Sequence, residues 1–201
     1  MSNTINSKES DEERLVARLQ RGSEEAFVLL VQQYQQRLYK TAYGITLERE
    51  ESLDIVQEVF LKVHRYIGSF KKDSNLYTWL HRMTVNESLN WIRKMKRRFK
   101  WLHRPVESED GNDFIYPELG SEDYAPEKLF QDKEMKTILF DQMKKLPEDA
   151  RAIFMLREID GLSYDEIADI LKIKRGTVSS RIFYARKRLK ENLAGYFDQT
   201  T

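Results

Sequence analysis

The chain has 201 residues, 33% of them charged and 40% hydrophobic, with no cysteine and a formal net charge of +1. That length gives one or two small domains. The polar opening MSNTINSKESDEER, with no apolar run near the ~20 residues of a membrane span, is expected of a cytoplasmic protein and not of a membrane or secreted one. Without cysteine there can be no disulfide staple, iron–sulfur cluster, cysteine-ligated zinc or thiol catalysis.

The near-neutral total conceals a segregated charge pattern. Residues 1–61 carry 7 basic and 11 acidic side chains, residues 62–104 carry 12 and 2, residues 105–134 carry 2 and 10, residues 135–171 carry 5 and 8, and residues 172–201 carry 8 and 2. Two concentrated positive blocks on one chain suit two separate polyanion contacts, although charged faces of ordinary helices would read the same way.

In chain order, apolar residues recur at spacings of three and four and nothing alternates with period two for long, so the chain is expected to be all-α. Ser23 is a good N-cap, followed by Glu24, Glu25 and a stripe of Phe27, Leu30, Val31, Tyr34 and Leu38. A second helix places Leu53, Val56, Phe60, Val63 and Ile67 on its buried side and stops at Gly68. A short polar loop then leads to a long third helix over about 76–98. Its Leu80, Thr84, Val85, Ser88, Leu89, Trp91, Ile92 and Met95 share one side, whereas Arg82, Asn86, Asn90, Arg93, Lys94 and Arg97 share the other with Trp79 and Met83. Asn and Arg offer hydrogen bonds to base edges and phosphates, and an aromatic ring offers a platform for an unpaired base. A surface tryptophan packed under the preceding loop is the other reading of Trp79.

Residues 105–126 hold three of the four prolines, two glycines and seven acids without one Lys or Arg, a composition too poor in apolar area to offset its chain entropy. They are expected to form a flexible acidic linker between a domain over 10–104 and a second helical domain over 127–197. In the second domain, GLSYDEIADILKIKRGTVSSRIFYARKRL reads as a helix-turn-helix. Ser163 caps a helix with Ile167, Ile170 and Leu171 inward, the turn KIKR follows, and a second helix buries Val178, Ile182, Ala185 and Leu189. Its opposite face carries Ser179, Ser180, Phe183, Tyr184 and Lys187, suited to base edges in a major groove. Arg175, Arg181, Arg186, Lys187, Arg188 and Lys190 are available for phosphates. A merely basic amphipathic helix in an αα-hairpin is the alternative.

Four segments in this order resemble the group 4, or extracytoplasmic-function, sigma-70 family of RNA polymerase sigma factors. They are SLDIVQEVFLKVHRYIGSF, similar to D-x-x-Q-E-x-F; SNLYTWLHRMTVNESLNWIR, similar to T-W-L-x-R-[IM]-x-x-N; LPEDARAIFMLREIDGLSYDEIADIL; and GTVSSRIFYARKRLK, similar to G-T-V-x-S-R-x-x-x-A-R. The resemblance implies a sigma-2-like helical bundle and a sigma-4-like helix-turn-helix domain. It implies a protein that is not an enzyme and directs core RNA polymerase, through its β and β′ subunits, to promoter DNA. The N-terminal domain would recognise and melt the −10 element, the C-terminal one would read the −35 element as duplex, and an anti-sigma factor would be a partner. Matching positions for polymerase binding are Asp54, Gln57, Glu58 and Leu61, which share a helix face; from spacing alone a solvated polar face remains open. For −10 DNA they are Phe70, Lys71, Lys72, Ser74, Asn75, Tyr77, Trp79, Asn86, Asn90, Arg93 and Arg97. For −35 DNA they are Arg175, Thr177, Ser179, Ser180, Arg181, Phe183, Tyr184 and Lys187. Ser179 and Tyr184 stand where some relatives carry Arg, the usual bidentate reader of guanine.

The competing expectation is a stand-alone LuxR-like helix-turn-helix regulator, which would have no use for the Trp79/Asn86/Asn90 face. No Walker-type glycine loop, metal-spaced carboxylate cluster or nucleophile–histidine pair is visible, so neither catalysis nor a metal or other cofactor is expected. His64, His81 and His103 read as ordinary helix or surface residues.

Overall fold

The computed structural model describes residues 3–71, 75–102 and 133–199, with side chains over 11–71, 75–99 and 138–192. Among these residues every regular element is helical: α1 (Asn3–Gln20), α2 (Glu24–Thr46), α3 (Arg49–Tyr66) with a 3₁₀ turn at Ile67–Ser69, α4 (Leu76–Leu102), α5 (Lys133–Lys144), α6 (Glu148–Phe154) running into a π-helical turn at Met155–Ile159, α7 (Tyr164–Leu171) and α8 (Arg175–Gln199). They form two helical domains, α1–α4 and α5–α8. The acidic segment 105–126 lies outside the described residues, as does the expected resumption of helix at residue 127.

α2 begins as its sequence dictates: the Ser23 hydroxyl accepts the Ala26 N–H at 3.3 Å, and Glu24 and Glu25 place negative charge at the positive end of the helix dipole. Its Ala26, Leu30, Tyr34 and Leu38 are buried against Ile55, Val56, Val59, Phe60 and Val63 of α3 and Leu76 and Leu80 of α4. The segment before Ser23, left unassigned by periodicity, is α1. Its Val16 and Leu19 complete this core.

Two inward assignments change, at Leu53 and Met95. Leu53 is 46% exposed, because the neighbouring Ser52 takes the inner position and its hydroxyl lies 2.8 Å from that of Thr46, closing the α2–α3 corner with a hydrogen bond. Met95 is 40% exposed near the far end of α4. Trp91 is half-buried, and its side chain is hydrogen-bonded to Glu51 of α3. The inward side of α4 serves both domains: Val85, Leu89 and Ile92, with Ile45 of α2, join the core cluster of the C-terminal domain.

In the C-terminal domain α7 starts at a full capping box. The Ser163 hydroxyl accepts the Glu166 N–H at 3.2 Å, and the Glu166 carboxylate accepts the Ser163 N–H at 2.8 Å. α7 ends at Lys172, in the left-handed region with φ 54°, which turns the chain directly into α8. Burial alone would raise the Glu166 carboxyl, but hydrogen bonds from the Ser163 backbone and hydroxyl and from Thr78 hold it below the usual glutamate range. Ser163→Ala is expected to cost about 1 kcal/mol. The carboxylate's share of that stability is complete above its unfolded value of about 4.3 and disappears as pH falls through the lower folded value. Melting curves of the wild type and Ser163→Ala recorded from pH 7 to 3 are therefore expected to draw closer on the acid side.

Candidate polymerase and nucleic-acid interfaces

On α3, Asp54, Gln57 and Leu61 are exposed and Glu58 is partly so, aligned on one outer face. Leu61 is 59% exposed, and Leu53, two turns earlier and expected inside from its spacing, extends the same ridge. Lys62 ties the ridge to α4: its ammonium lies 3.8 Å from Glu58 and 2.5 Å from Glu87. The result is an apolar ridge edged by carboxylates, suited to a protein surface with a hydrophobic floor and cations.

α4 opens at Asn75, whose side-chain oxygen accepts the Thr78 N–H at 2.7 Å, so this residue serves as the helix cap. Phe70 is buried, and its ring sits 5.0 Å from that of Trp79, which is half-buried beneath it. Gln20 holds the loop by donating to the carbonyls of Ile67 and Phe70 at 3.2 and 3.1 Å. Lys71 is exposed, and Lys72 and Ser74 lie outside the described residues. Beyond Trp79, the exposed Asn86, Asn90, Arg93 and Arg97 make one continuous stripe, with the Arg93 guanidinium donating to the Asn90 side-chain oxygen at 3.0 Å. Tyr77 lies off this stripe and is partly covered. Its hydroxyl donates to the backbone carbonyl of Asp160 at 3.1 Å, and burial, then the Asp160 charge, push its ionisation far above the usual phenol range, so it remains a donor.

α8 presents the expected second face. Phe183 is 70% exposed; Ser179, Ser180, Tyr184 and Lys187 are exposed around it, with Thr177 partly so. The Ser180 hydroxyl donates to the Thr177 carbonyl at 3.1 Å, and the Arg188 guanidinium sits 5.9 Å over the Tyr184 ring. Several of its cations are already engaged: Arg186 pairs with Glu158 at 2.6 Å, and the Lys187 ammonium lies 3.8 Å from Glu191. Arg181 is paired with Asp149 at the start of α6 at 3.0 Å, which braces α8 against α6, and Arg175 meets Asp165 at 3.2 Å. Arg157 and Arg175 lie 5.2 and 5.8 Å over the same Tyr164 ring, an aromatic support for the start of the second helix.

His81 departs from the sequence reading. It is fully buried between the domains, with Nε2 3.4 Å from an Asp160 carboxylate oxygen. Among the described residues no group of three His, Asp or Glu could hold a metal ion, and no helix is long and apolar enough to cross a membrane.

Two helical domains, one ending in a helix-turn-helix with a free outer face and the other carrying a basic Asn/Arg stripe and an apolar ridge, define a class: helical DNA-binding proteins that also dock on another protein. Comparison with known sequences makes the class specific. The sigma-70 region 2 profile matches residues 30–98 and the sigma-70 region 4 profile residues 137–189. The chain is 38% identical over 183 residues to the ECF RNA polymerase sigma-E factor of Escherichia coli K12, covering 91% of this chain and 94% of that one. It is 35% identical over 185 residues to the RNA polymerase sigma-H factor of Pseudomonas aeruginosa, covering 92% and 95%. The sigma factor RpoE of Bartonella quintana, solved in complex with the anti-sigma factor NepR, aligns with a TM-score of 0.64 at 25% identity over 84% of this chain and 96% of that one. CnrH, solved in complex with the cytosolic domain of CnrY, shares the fold, with a TM-score of 0.62 at 20% identity over 92% and 97%. The chain belongs to the extracytoplasmic-function branch of the sigma-70 family of RNA polymerase sigma factors, which are transcription initiation factors and not enzymes.

Proposed function

We propose that the chain docks on core RNA polymerase in the cytoplasm through the α3 ridge of Leu53, Asp54, Gln57, Glu58 and Leu61, and reads promoters with two separate faces. The stripe of Asn86, Asn90, Arg93 and Arg97, headed by Trp79, takes the −10 element as an opened strand. The α8 face of Thr177, Ser179, Ser180, Phe183, Tyr184 and Lys187 takes the −35 element as duplex, with Arg175 on phosphates. The observation that carries this reading is the pairing of two exposed, chemically different faces on two domains. A repeated half-site would be expected of a dimeric repressor. Opening the duplex costs a few kcal/mol per unstacked base, which stacking and edge hydrogen bonds on the α4 side offset.

The division of the chain into a −10 domain (10–104), an acidic linker (105–126) and a −35 domain (127–197) is part of the same proposal, and so is an anti-sigma partner. The structural relative RpoE, solved with NepR, supports such a partner. Footprinting of the holoenzyme on a native promoter tests the reading: duplex protection near −35 together with permanganate-reactive thymines near −10 is expected. Protection of both elements without reactive thymines would contradict it.

A further inference from the structure

α1 supplies none of the residues expected at DNA, yet one of its faces holds both ends of the loop that leads into α4. Advancing 100° per residue, Glu12, Val16, Leu19 and Gln20 fall within an arc of about 100° and point to one side. Val16 and Leu19 are buried in the core of the N-terminal domain, which fixes the polar residue at either end of that face. At one end the Gln20 side-chain amide donates to the carbonyls of Ile67 and Phe70 at 3.2 and 3.1 Å. At the other the Glu12 carboxylate accepts the Leu76 N–H at 2.7 Å. Leu76 is buried in the first turn of α4, where a helix leaves N–H groups without partners, and the Glu12 charge also suits the positive end of the helix dipole.

The end of α1 is closed so that Gln20 is held in place. Gly22 adopts φ 78°, its N–H donates to the Leu19 carbonyl at 2.9 Å, and the Ser23 N–H donates to the Arg18 carbonyl at 3.1 Å, the paired bonds of a Schellman stop. Arg18 then pairs with Glu25 of α2 at 3.0 Å. A glutamine that faces two carbonyls can meet them only through its NH2 group, so the polarity of this contact is fixed. Glu12 and Gln20 stand about 12 Å apart along the helix axis, and α1 bridges the two loop ends as a strut.

We propose that Glu12 and Gln20 are positioning residues for −10 recognition. From α1 they fix the backbone at Phe70 and Leu76, and so hold the Phe70–Trp79 ring pair at the head of the α4 stripe before a strand arrives. The proposal rests on the −10 reading above. The Phe70 ring lies 5.0 Å from that of Trp79, so displacing the Phe70 backbone displaces the aromatic platform. A surface ordered in advance loses less conformational entropy on binding, which raises affinity although α1 itself touches no base. The −35 face on α8, in the other domain, is expected to be unaffected.

Four variants of the full chain test this. Gln20→Glu keeps the size but cannot donate, Gln20→Met removes both bonds without adding charge, Glu12→Ala removes the acceptor, and Glu12→Gln keeps an oxygen that can accept the Leu76 N–H. Gln20 is exposed and Glu12 only partly covered, so the apolar core is left intact. Each variant is assembled with core RNA polymerase and titrated, well below its melting temperature, with the single-stranded non-template −10 oligonucleotide of a promoter mapped by the footprint. The first three should weaken binding by about tenfold and Glu12→Gln by less than about threefold, while affinity for the −35 duplex stays within about twofold. In the free chains, without DNA, amide hydrogen exchange should rise at Phe70 in both Gln20 variants and at Leu76 in Glu12→Ala, and stay unchanged in α7 and α8.

Unchanged exchange at Phe70 and Leu76 overturns the strut. Raised exchange with wild-type strand affinity overturns its service to −10 recognition, as does an equal loss at the −35 duplex, the mark of a general loss of fold. Glu12→Gln as weak as Glu12→Ala overturns the role of the Leu76 bond. Asn86→Ala, titrated alongside, separates the two levels: if it too leaves strand affinity unchanged the −10 reading fails, whereas a loss in Asn86→Ala with none in the α1 variants removes the positioning role by itself.

Discussion

Replacing both Ser180 and Tyr184 by alanine is expected to abolish most of the discrimination between the cognate −35 element and a scrambled duplex. These two side chains stand one turn apart on the exposed face of α8, beside Phe183, with the buried Val178, Ile182, Ala185 and Leu189 on the opposite side. Truncation leaves the packed face untouched, so the helix and its docking survive. A side chain's interaction with a base edge is worth about 1–3 kcal/mol, so removing the pair, about 2–6 kcal/mol if the two add, costs discrimination of roughly thirtyfold to twenty-thousandfold. The phosphate interactions persist, and affinity for nonspecific duplex should barely move. Competition titrations at fixed salt check this; an equal loss for specific and scrambled DNA would show that the face supplies affinity without readout.

Asn86→Ala separates the two faces. Asn86 is exposed on the α4 stripe, one turn before Asn90. Its removal should slow open-complex formation by roughly five- to 150-fold, the equivalent of about 1–3 kcal/mol for an interaction with a base edge. Binding to an isolated −35 duplex should be unchanged. Stopped-flow fluorescence of a labelled promoter and a duplex titration give the two numbers. Equal losses in both would remove the division of labour between α4 and α8.

The elements most legible in the sequence are those whose signals are local. Ser23 and Ser163 cap α2 and α7 because a hydroxyl three residues before a free N–H is enough to do so. The stripe Val178, Ile182, Ala185 and Leu189 fixes which side of α8 faces outward. Periodicity failed where the inward group is polar: Ser52, bonded to Thr46, displaced Leu53 to the surface, and the largely polar α1 gave only Val16 and Leu19 as a signal. Asn75 reads as a DNA-binding residue from its place in the motif, yet it spends its side chain on the cap of α4. The meeting of the domains was out of reach altogether. Thr41 and Asp160 are 119 residues apart, and neither a threonine nor an aspartate announces a distant partner.

Two tethered readers, with no chemistry of their own, are proposed to give a polymerase its start site. Run-off transcription with purified core RNA polymerase and native promoter templates tests it most directly. A single defined transcript is expected that depends on the added chain and disappears when either promoter element is scrambled. No transcript, or a transcript indifferent to both elements, would contradict it.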